Sequence, residues 1–197
     1  MTDTFVLDHL CKSYPSIAAP CRSDEIGARG WEVLGDDLAY PLATLRRSAL
    51  AHNLAWMQDF ARRKGVNLAP HGKTTMSPEL FAMQLQGGAW GLTFATIFQL
   101  AVGVRAGAQR AIIANQVLSD ADLDGLAAML ARHAGLRVWF LVDSLAQLAL
   151  VEDWARRRQF AGAFDVLVEI GIPGQRTGVR AFEPAMELAP AIPRSPA

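Results

Sequence analysis

No stretch of this sequence stays apolar long enough to cross a bilayer. A spanning helix needs roughly 20 apolar residues, and polar or charged side chains interrupt every apolar run before that. The opening Met1-Thr2-Asp3-Thr4-Phe5-Val6-Leu7-Asp8 carries early acids and no long apolar region, so it does not read as a secretory leader. Cysteine is scarce. Cys11 and Cys21 form no CxxC motif and have no partner set suggesting a metal. A disulfide across the intervening loop stays open, but a reduced, cytoplasmic state is the default expectation. An excess of one charge is also missing, since 19 Lys and Arg balance 19 Asp and Glu. That balance argues against a dedicated nucleic-acid binder. The expectation is therefore no nucleic-acid and no membrane partner. The one notable basic run, Arg156-Arg157-Arg158, falls at a predicted helix C-terminus, where it would complement the dipole on a solvated face. Low-complexity segments are absent. So is a glycine-rich phosphate loop, because Gly87-Gly88 precedes a predicted strand and lies on its wrong side.

What is present is a chain of 197 residues, about half of it apolar, which is enough for a sizeable core. Residues 1–40 read as an irregular extension broken by Pro15, Pro20, Gly27, Gly30 and Gly35, with a short helix near 5–13. Residues 38–45, containing Pro41, read as an entry strand or edge piece ahead of the first barrel strand. A regular alternation then begins. Residues 46–64 have helical period, with Leu50, Leu54, Met57 and Ala61 on one face and Gly65 as a stop. Predicted strands follow at 67–69, 91–95, 110–114, 136–142 and 165–170, separated by helices. Ser77, Thr96, Ser119 and Ser144 are the expected helix caps. The strand at 136–142 is near-continuously apolar, as in a sheet buried on both faces. Strand–helix alternation implies parallel α/β architecture.

In such folds ligands bind at the C-terminal rim of the strands. Lys73 lies there, on a loop after the first strand and before a helix that opens with Ser77-Pro78-Glu79. A lysine in that position can lose its proton by desolvation and attack a carbonyl to form a Schiff base. The alternative is a solvated loop lysine. His71, two residues away, can share its face and move a proton, or simply bond the backbone. Asn115, Gln116, Asp143 and Ser144 also follow strand ends, and each has a competing local role as a cap or turn residue. Thr96 is ambiguous in the same way. Glu169 would face the interior and needs a partner, for which Arg137 and Arg176 are candidates. His52 sits within a helix, where an interhelical role is favoured.

The segment Pro70-His71-Gly72-Lys73-Thr74-Thr75-Met76-Ser77-Pro78 resembles the cofactor-lysine segment of the D-serine dehydratase and D-threonine aldolase group. The resemblance continues through Gly87-Gly88-Ala89-Trp90-Gly91-Leu92-Thr93-Phe94-Ala95-Thr96, Ala114-Asn115-Gln116 and Val168-Glu169-Ile170-Gly171-Ile172-Pro173-Gly174-Gln175-Arg176-Thr177-Gly178-Val179. These are fold-type III pyridoxal 5'-phosphate (PLP) enzymes on an alanine-racemase-like barrel. Where many relatives have His-Lys after Lys-Thr, this chain has Thr75-Met76, which is more similar to the branch often termed amino acid deaminases.

The resemblance implies a partial (β/α)8 TIM barrel of the alanine racemase N-terminal type over residues 41–197, with about five parallel strands. It implies PLP as cofactor, with Lys73 as Schiff-base and catalytic lysine. His71, Arg176 and Asn115 are the expected cofactor contacts, Arg176 approaching the ring hydroxyl. No metal ligand is expected here; zinc belongs to a full-length relative. The implied reaction is loss of water and ammonia from a D-hydroxyamino acid such as D-serine or D-threonine, giving a 2-oxo acid. Retro-aldol cleavage and a non-catalytic PLP-binding role are the alternatives. Relatives carry further strand–helix units and a β-rich domain and would be homodimers, so the sequence as given is expected to be an incomplete and inactive portion.

Overall fold

The computed structural model describes residues 4–195 and 197. The chain divides into two compact units, Met1–Leu54 and Ala55–Ala197. The division falls within helix α1 (Arg47–Lys64).

In the first unit, the expected helix near residues 5–13 is replaced by a short strand. β1 (Val6–Leu7) pairs antiparallel with β2 (Cys21–Arg22). Local hydrogen bonding explains the change. The Asp8 side chain accepts from the Leu10 amide at 2.8 Å and its carbonyl from the Cys11 amide at 2.9 Å, so a turn forms where a helix would continue. Ser13, at φ 69°, closes that region. Residues 38–45 also form no strand. Pro41 follows a cis peptide and offers no N–H to a ladder. Both cysteines are free thiols, and Cys21 is buried beneath Tyr14.

The second unit is built on a parallel sheet, β3 (Leu92–Phe94), β4 (Arg110–Gln116), β5 (Arg137–Val142) and β6 (Asp165–Val168), in that spatial order. Helices α2 (Pro78–Gln86), α3 (Ile97–Arg105), α4 (Asp120–Arg132), α5 (Leu145–Arg158) and α6 (Phe182–Ala191) alternate with the strands. α2 to α5 begin on the four expected hydroxyl caps, Ser77, Thr96, Ser119 and Ser144, each accepting a first-turn amide.

The parallel architecture is thus as expected, but residues 67–69 join it only loosely. The Trp90 amide donates to the Leu68 carbonyl at 2.8 Å, and the Thr93 amide to that of Pro70 at 2.8 Å. His71 then bridges Thr93 in parallel register. A regular ladder would require an N–H from Pro70, which has none, so four strands are continuous and this segment remains a bridge.

One face of the sheet packs on helices through Leu92, Phe94, Ala111, Ile113, Val138, Phe140 and Val142, all buried. Full burial of each larger side chain contributes about 2 kcal/mol. Phe94 packs so closely on α3 that a Cβ on Gly103 would fall 2.2 Å from its ring. The other face is less covered. Trp139 and Leu141 of β5 are only half-buried, so the expected burial of that strand on both faces does not hold. On that face the Trp139 ring meets Trp90 at 5.2 Å between ring centres, and the Arg137 guanidinium stacks 4.8 Å from its centre.

The basic run at the end of α5 does more than complement a dipole. Arg157 pairs with Asp120 at 2.6 Å and Arg158 with Asp124 at 2.7 Å, joining α5 to the start of α4. Trp154 adds an indole hydrogen bond to Asp124 at 3.0 Å. These ion pairs are exposed, so each is worth little. No helix among the described residues is long and apolar enough to cross a membrane.

Candidate active site

Lys73 is positioned by its neighbour. Gly72 is buried, and a Cβ there would lie 2.7 Å from both Phe81 of α2 and Phe94 of β3. The Gly72 amide donates to the Thr93 carbonyl at 2.8 Å, and the Thr93 hydroxyl reaches the Ala69 carbonyl at 2.8 Å. The chain is therefore clamped to β3 on the residue before Lys73. The Met76 amide then returns to the Gly72 carbonyl at 3.1 Å, closing a turn that leaves Lys73, Thr74 and Thr75 exposed. Ser77 starts α2 directly afterwards, with Pro78 at the first helical position and Glu79 in the first turn.

His71 and Lys73 are neighbours in space as well as in sequence. The Lys73 amide approaches His71 Nδ1 at 3.5 Å, at the limit of a hydrogen bond. Partial burial of the ring, and then the positive charge of Lys73, hold the His71 imidazole below its ordinary value. The imidazole is thus neutral at neutral pH and lies against the Lys73 backbone.

Because the strands are parallel, their C-terminal ends share one rim with the Lys73 turn. Asn115 lies at an irregularity in β4 between Ile113 and Gln116, and its amide donates to the Ala95 carbonyl at 3.4 Å. Gln116 follows, and its Nε2 donates to two carboxylates: Glu169 at 2.7 Å and Asp143 at 3.0 Å. Glu169 accepts a second bond from the Thr177 hydroxyl at 3.0 Å, and Asp143 accepts the Gly178 amide at 3.1 Å. The partners expected for Glu169 are therefore wrong. Arg137 instead pairs with Asp165 at 2.9 Å at the opposite end of the strands, and Arg176 stays exposed. Thr96 and Ser144 act as helix caps, as their local roles require.

Arg176 sits on a loop with a narrow neck. Ile170 bridges Val179, and the Gly171 amide donates to the Val179 carbonyl at 2.9 Å. A Cβ on Gly171 would lie 2.2 Å from the Thr177 carbonyl oxygen, and Gly178 adopts φ 98°. Both glycines are needed for that approach. Arg180 fastens the loop from below by donating to the carbonyls of Gln175 and Ile172. Arg176 makes no hydrogen bond or ion pair among the described residues. A cleft of about 600 Å³ lies nearby between β6 and α6, but none of Lys73, His71, Asn115 or Arg176 lines it.

The structure thus brings Lys73 and His71 together in one turn, with Asn115 and Arg176 elsewhere on the same rim. The bridged set Gln116, Asp143, Glu169 and Thr177 is the feature the sequence did not reveal as a unit. Its signal was the placement of three of these residues within one position of a strand end. Among the described residues, no group of three His, Cys, Asp or Glu is arranged to hold a metal.

Residues 45–197 match the family described as alanine racemase, N-terminal domain. The chain belongs to that family. Within it, the chain is 31% identical over 149 residues to D-threo-3-hydroxyaspartate dehydratase of Delftia sp. (strain HT23), covering 76% of this chain and 38% of that protein. It is 35% identical over 148 residues to D-threonine aldolase of Arthrobacter sp., covering 74% of this chain and 38% of that protein. Among solved structures, D-threonine aldolase from Filomicrobium marinum superposes with a TM-score of 0.72 at 32% identity, over 81% of this chain and 42% of that one. The chain thus spans about two fifths of the length of these family members.

Proposed function

We propose that this chain carries the lysine-bearing part of a PLP site in a lyase acting on D-3-hydroxy amino acids. The observation that supports it most is the Lys73 turn. An exposed amine stands at the C-terminal rim, directly after a buried glycine that fixes its backbone, in a chain of the alanine racemase N-terminal family. Enzymes of this family are PLP-dependent.

The donor set fits the ring end of that cofactor. Lys73 offers a primary amine to the aldehyde carbon, and Arg176 offers a guanidinium with no competing partner among the described residues. Asn115 keeps a second amide hydrogen and its carbonyl. Ser77, Thr96 and Ser144 each cap a helix start at this rim, which leaves less amide capacity there for a phosphate. PLP, when bound, supplies an electron sink for negative charge on the substrate Cα.

The chain's own residues supply the rest. Lys73 would hold the cofactor through its primary amine, and the same amine could take the proton from the substrate Cα. His71, held neutral, accepts or returns a proton beside it. Arg176 stabilises an oxyanion on the ring as a fixed cation. The favoured outcome is the deaminase type: water is lost across Cα and Cβ, the enamine so formed becomes an imine, and addition of water to that imine releases ammonia and leaves a 2-oxo acid. Retro-aldol cleavage to an aldehyde is a second reading, favoured by the likeness to D-threonine aldolases.

The test is to add PLP, reduce with borohydride and map the labelled peptide. The expected result is label on Lys73, lost in Lys73→Ala. Label on another lysine, with none on Lys73, would remove the proposal. With PLP and D-3-hydroxy amino acids added, release of 2-oxo acid as against aldehyde decides between the two reactions.

A further inference from the structure

We infer that Gln116 is a positioning residue that latches the loop bearing Arg176 to the rim of the sheet. The inference rests on the proposed PLP site for its consequence, but not for its geometry. Asp143 follows β5 and Glu169 follows β6, so two carboxylates face one amide from the ends of adjacent strands. Unbridged, the like charges would repel each other. The Gln116 amide nitrogen donates to both, at 3.0 and 2.7 Å, which also fixes its orientation, since the carbonyl oxygen facing two carboxylates would be unfavourable. Each carboxylate then holds one point on the loop. Asp143 takes the Gly178 amide, and Glu169 takes the Thr177 hydroxyl. These residues directly follow Arg176 in sequence.

The geometry forms a chain of charge-assisted bonds from β4, across the ends of β5 and β6, to the loop. Such bonds are stronger than neutral ones. Arg176 itself is exposed and holds nothing. Its place is therefore set from behind, by Gln116 through the two carboxylates. Loss of the Gln116 donor frees the carboxylates to repel each other and releases Thr177 and Gly178 together. The Lys73 turn has no bond to this set and keeps its own anchor at Gly72.

Amide hydrogen exchange on the whole chain, without cofactor, tests the latch. In Gln116→Leu, exchange over residues 171–178 should rise about tenfold, while that of β5 stays at the wild-type rate. Gln116→Glu adds a discriminating readout. At neutral pH three carboxylates meet and the loop should exchange faster than wild type. Toward pH of about 5 the excess should shrink, because a protonated glutamic acid regains an O–H donor of the same shape. A loss of packing would show no such recovery. With PLP added, Gln116→Leu should shift the absorption band of the bound cofactor in the same direction as Arg176→Ala. Leu126→Ala, a core change, should lower stability without that shift. Unchanged exchange over 171–178 in both Gln116 variants would overturn the latch. Faster loop exchange in a protein whose wild-type form takes no PLP would support the latch and overturn the proposed cofactor site.

Discussion

The Lys73 turn and the Arg176 loop lie on one rim and are held by opposite physics. The turn is anchored by contact and by neutral hydrogen bonds to β3. Gly72 is wedged against two phenylalanine rings, and no side-chain ion takes part. The loop is anchored by polar bonds. Its neck is two glycines in backbone contact, and its returning limb is tied at Thr177 and Gly178 to the carboxylates of Glu169 and Asp143. Contact packing is short-ranged and insensitive to pH and salt. A bridged carboxylate pair depends on one donor and on the protonation state of both acids. The difference suits the proposed roles. The lysine must return to one place in every turnover, whereas the arginine has to meet a ring oxygen whose charge changes.

The largest expected break in this comparison is Gly72→Ala. The added methyl has nowhere to go except into Phe81 and Phe94, so urea denaturation should show a loss of about 1–3 kcal/mol. Gly174→Ala, at the loop tip, meets no atom within 4 Å and pays only for its φ of 80°. That change should cost about 1 kcal/mol. Equal losses at the two glycines would show that the turn is not packed as described.

A pH titration reads a term that packing does not supply, the His71 ring next to the turn. His71 in the folded chain binds its proton less readily than in the unfolded chain. The unfolded state therefore takes up more protons as pH falls through the ordinary histidine value of about 6.5, and stability should fall over that window. Above it, His71 contributes no slope. Comparing denaturation midpoints at both ends of the window for wild type and His71→Gln checks this, since the variant should lose part of the slope. The aspartates Asp120, Asp124 and Asp153 act with the same sign in a lower pH range. Hydrogen bonds from Arg157, Arg158 and Trp154, and from Arg156 to Asp153, hold their carboxyls low, so their contribution is present above about pH 4 and lost as pH falls through the folded values. The smallest effect is expected for Arg157→Ala. The melting temperature should drop slightly, and the drop should shrink as salt is raised, because the pairs are exposed.

Much of this fold was legible in the sequence because its signals were local. Ser77, Thr96, Ser119 and Ser144 cap the helices they precede, and the apolar spacing that follows each one sets the buried face. The Lys73 turn was legible for the same reason, as Ser77-Pro78-Glu79 fixes where the loop must end. What was not legible depends on partners distant in sequence. Residues 67–69 look like a strand, yet the missing N–H of Pro70 matters only once Trp90 lies opposite. The first turn of the chain looked helical until the Asp8 side chain competed for the backbone. Gln116, Asp143, Glu169 and Thr177 are separated by up to 53 residues in their bonded pairs, and only the parallel register brings them to one point. Glu169 was expected to need a cation. A primary amide and a hydroxyl satisfied it instead, a solution that charge counting cannot reveal.

The central claim is that Lys73 is the residue on which a PLP site would be built. The most direct measurement is mass mapping of the whole chain after incubation with PLP and borohydride reduction. The expected result is a single modified peptide containing Lys73, with no modification in Lys73→Ala and reduced modification in Gly72→Ala, where the turn is displaced. Modification spread evenly over Lys12, Lys64 and Lys73, unchanged by either substitution, would contradict it.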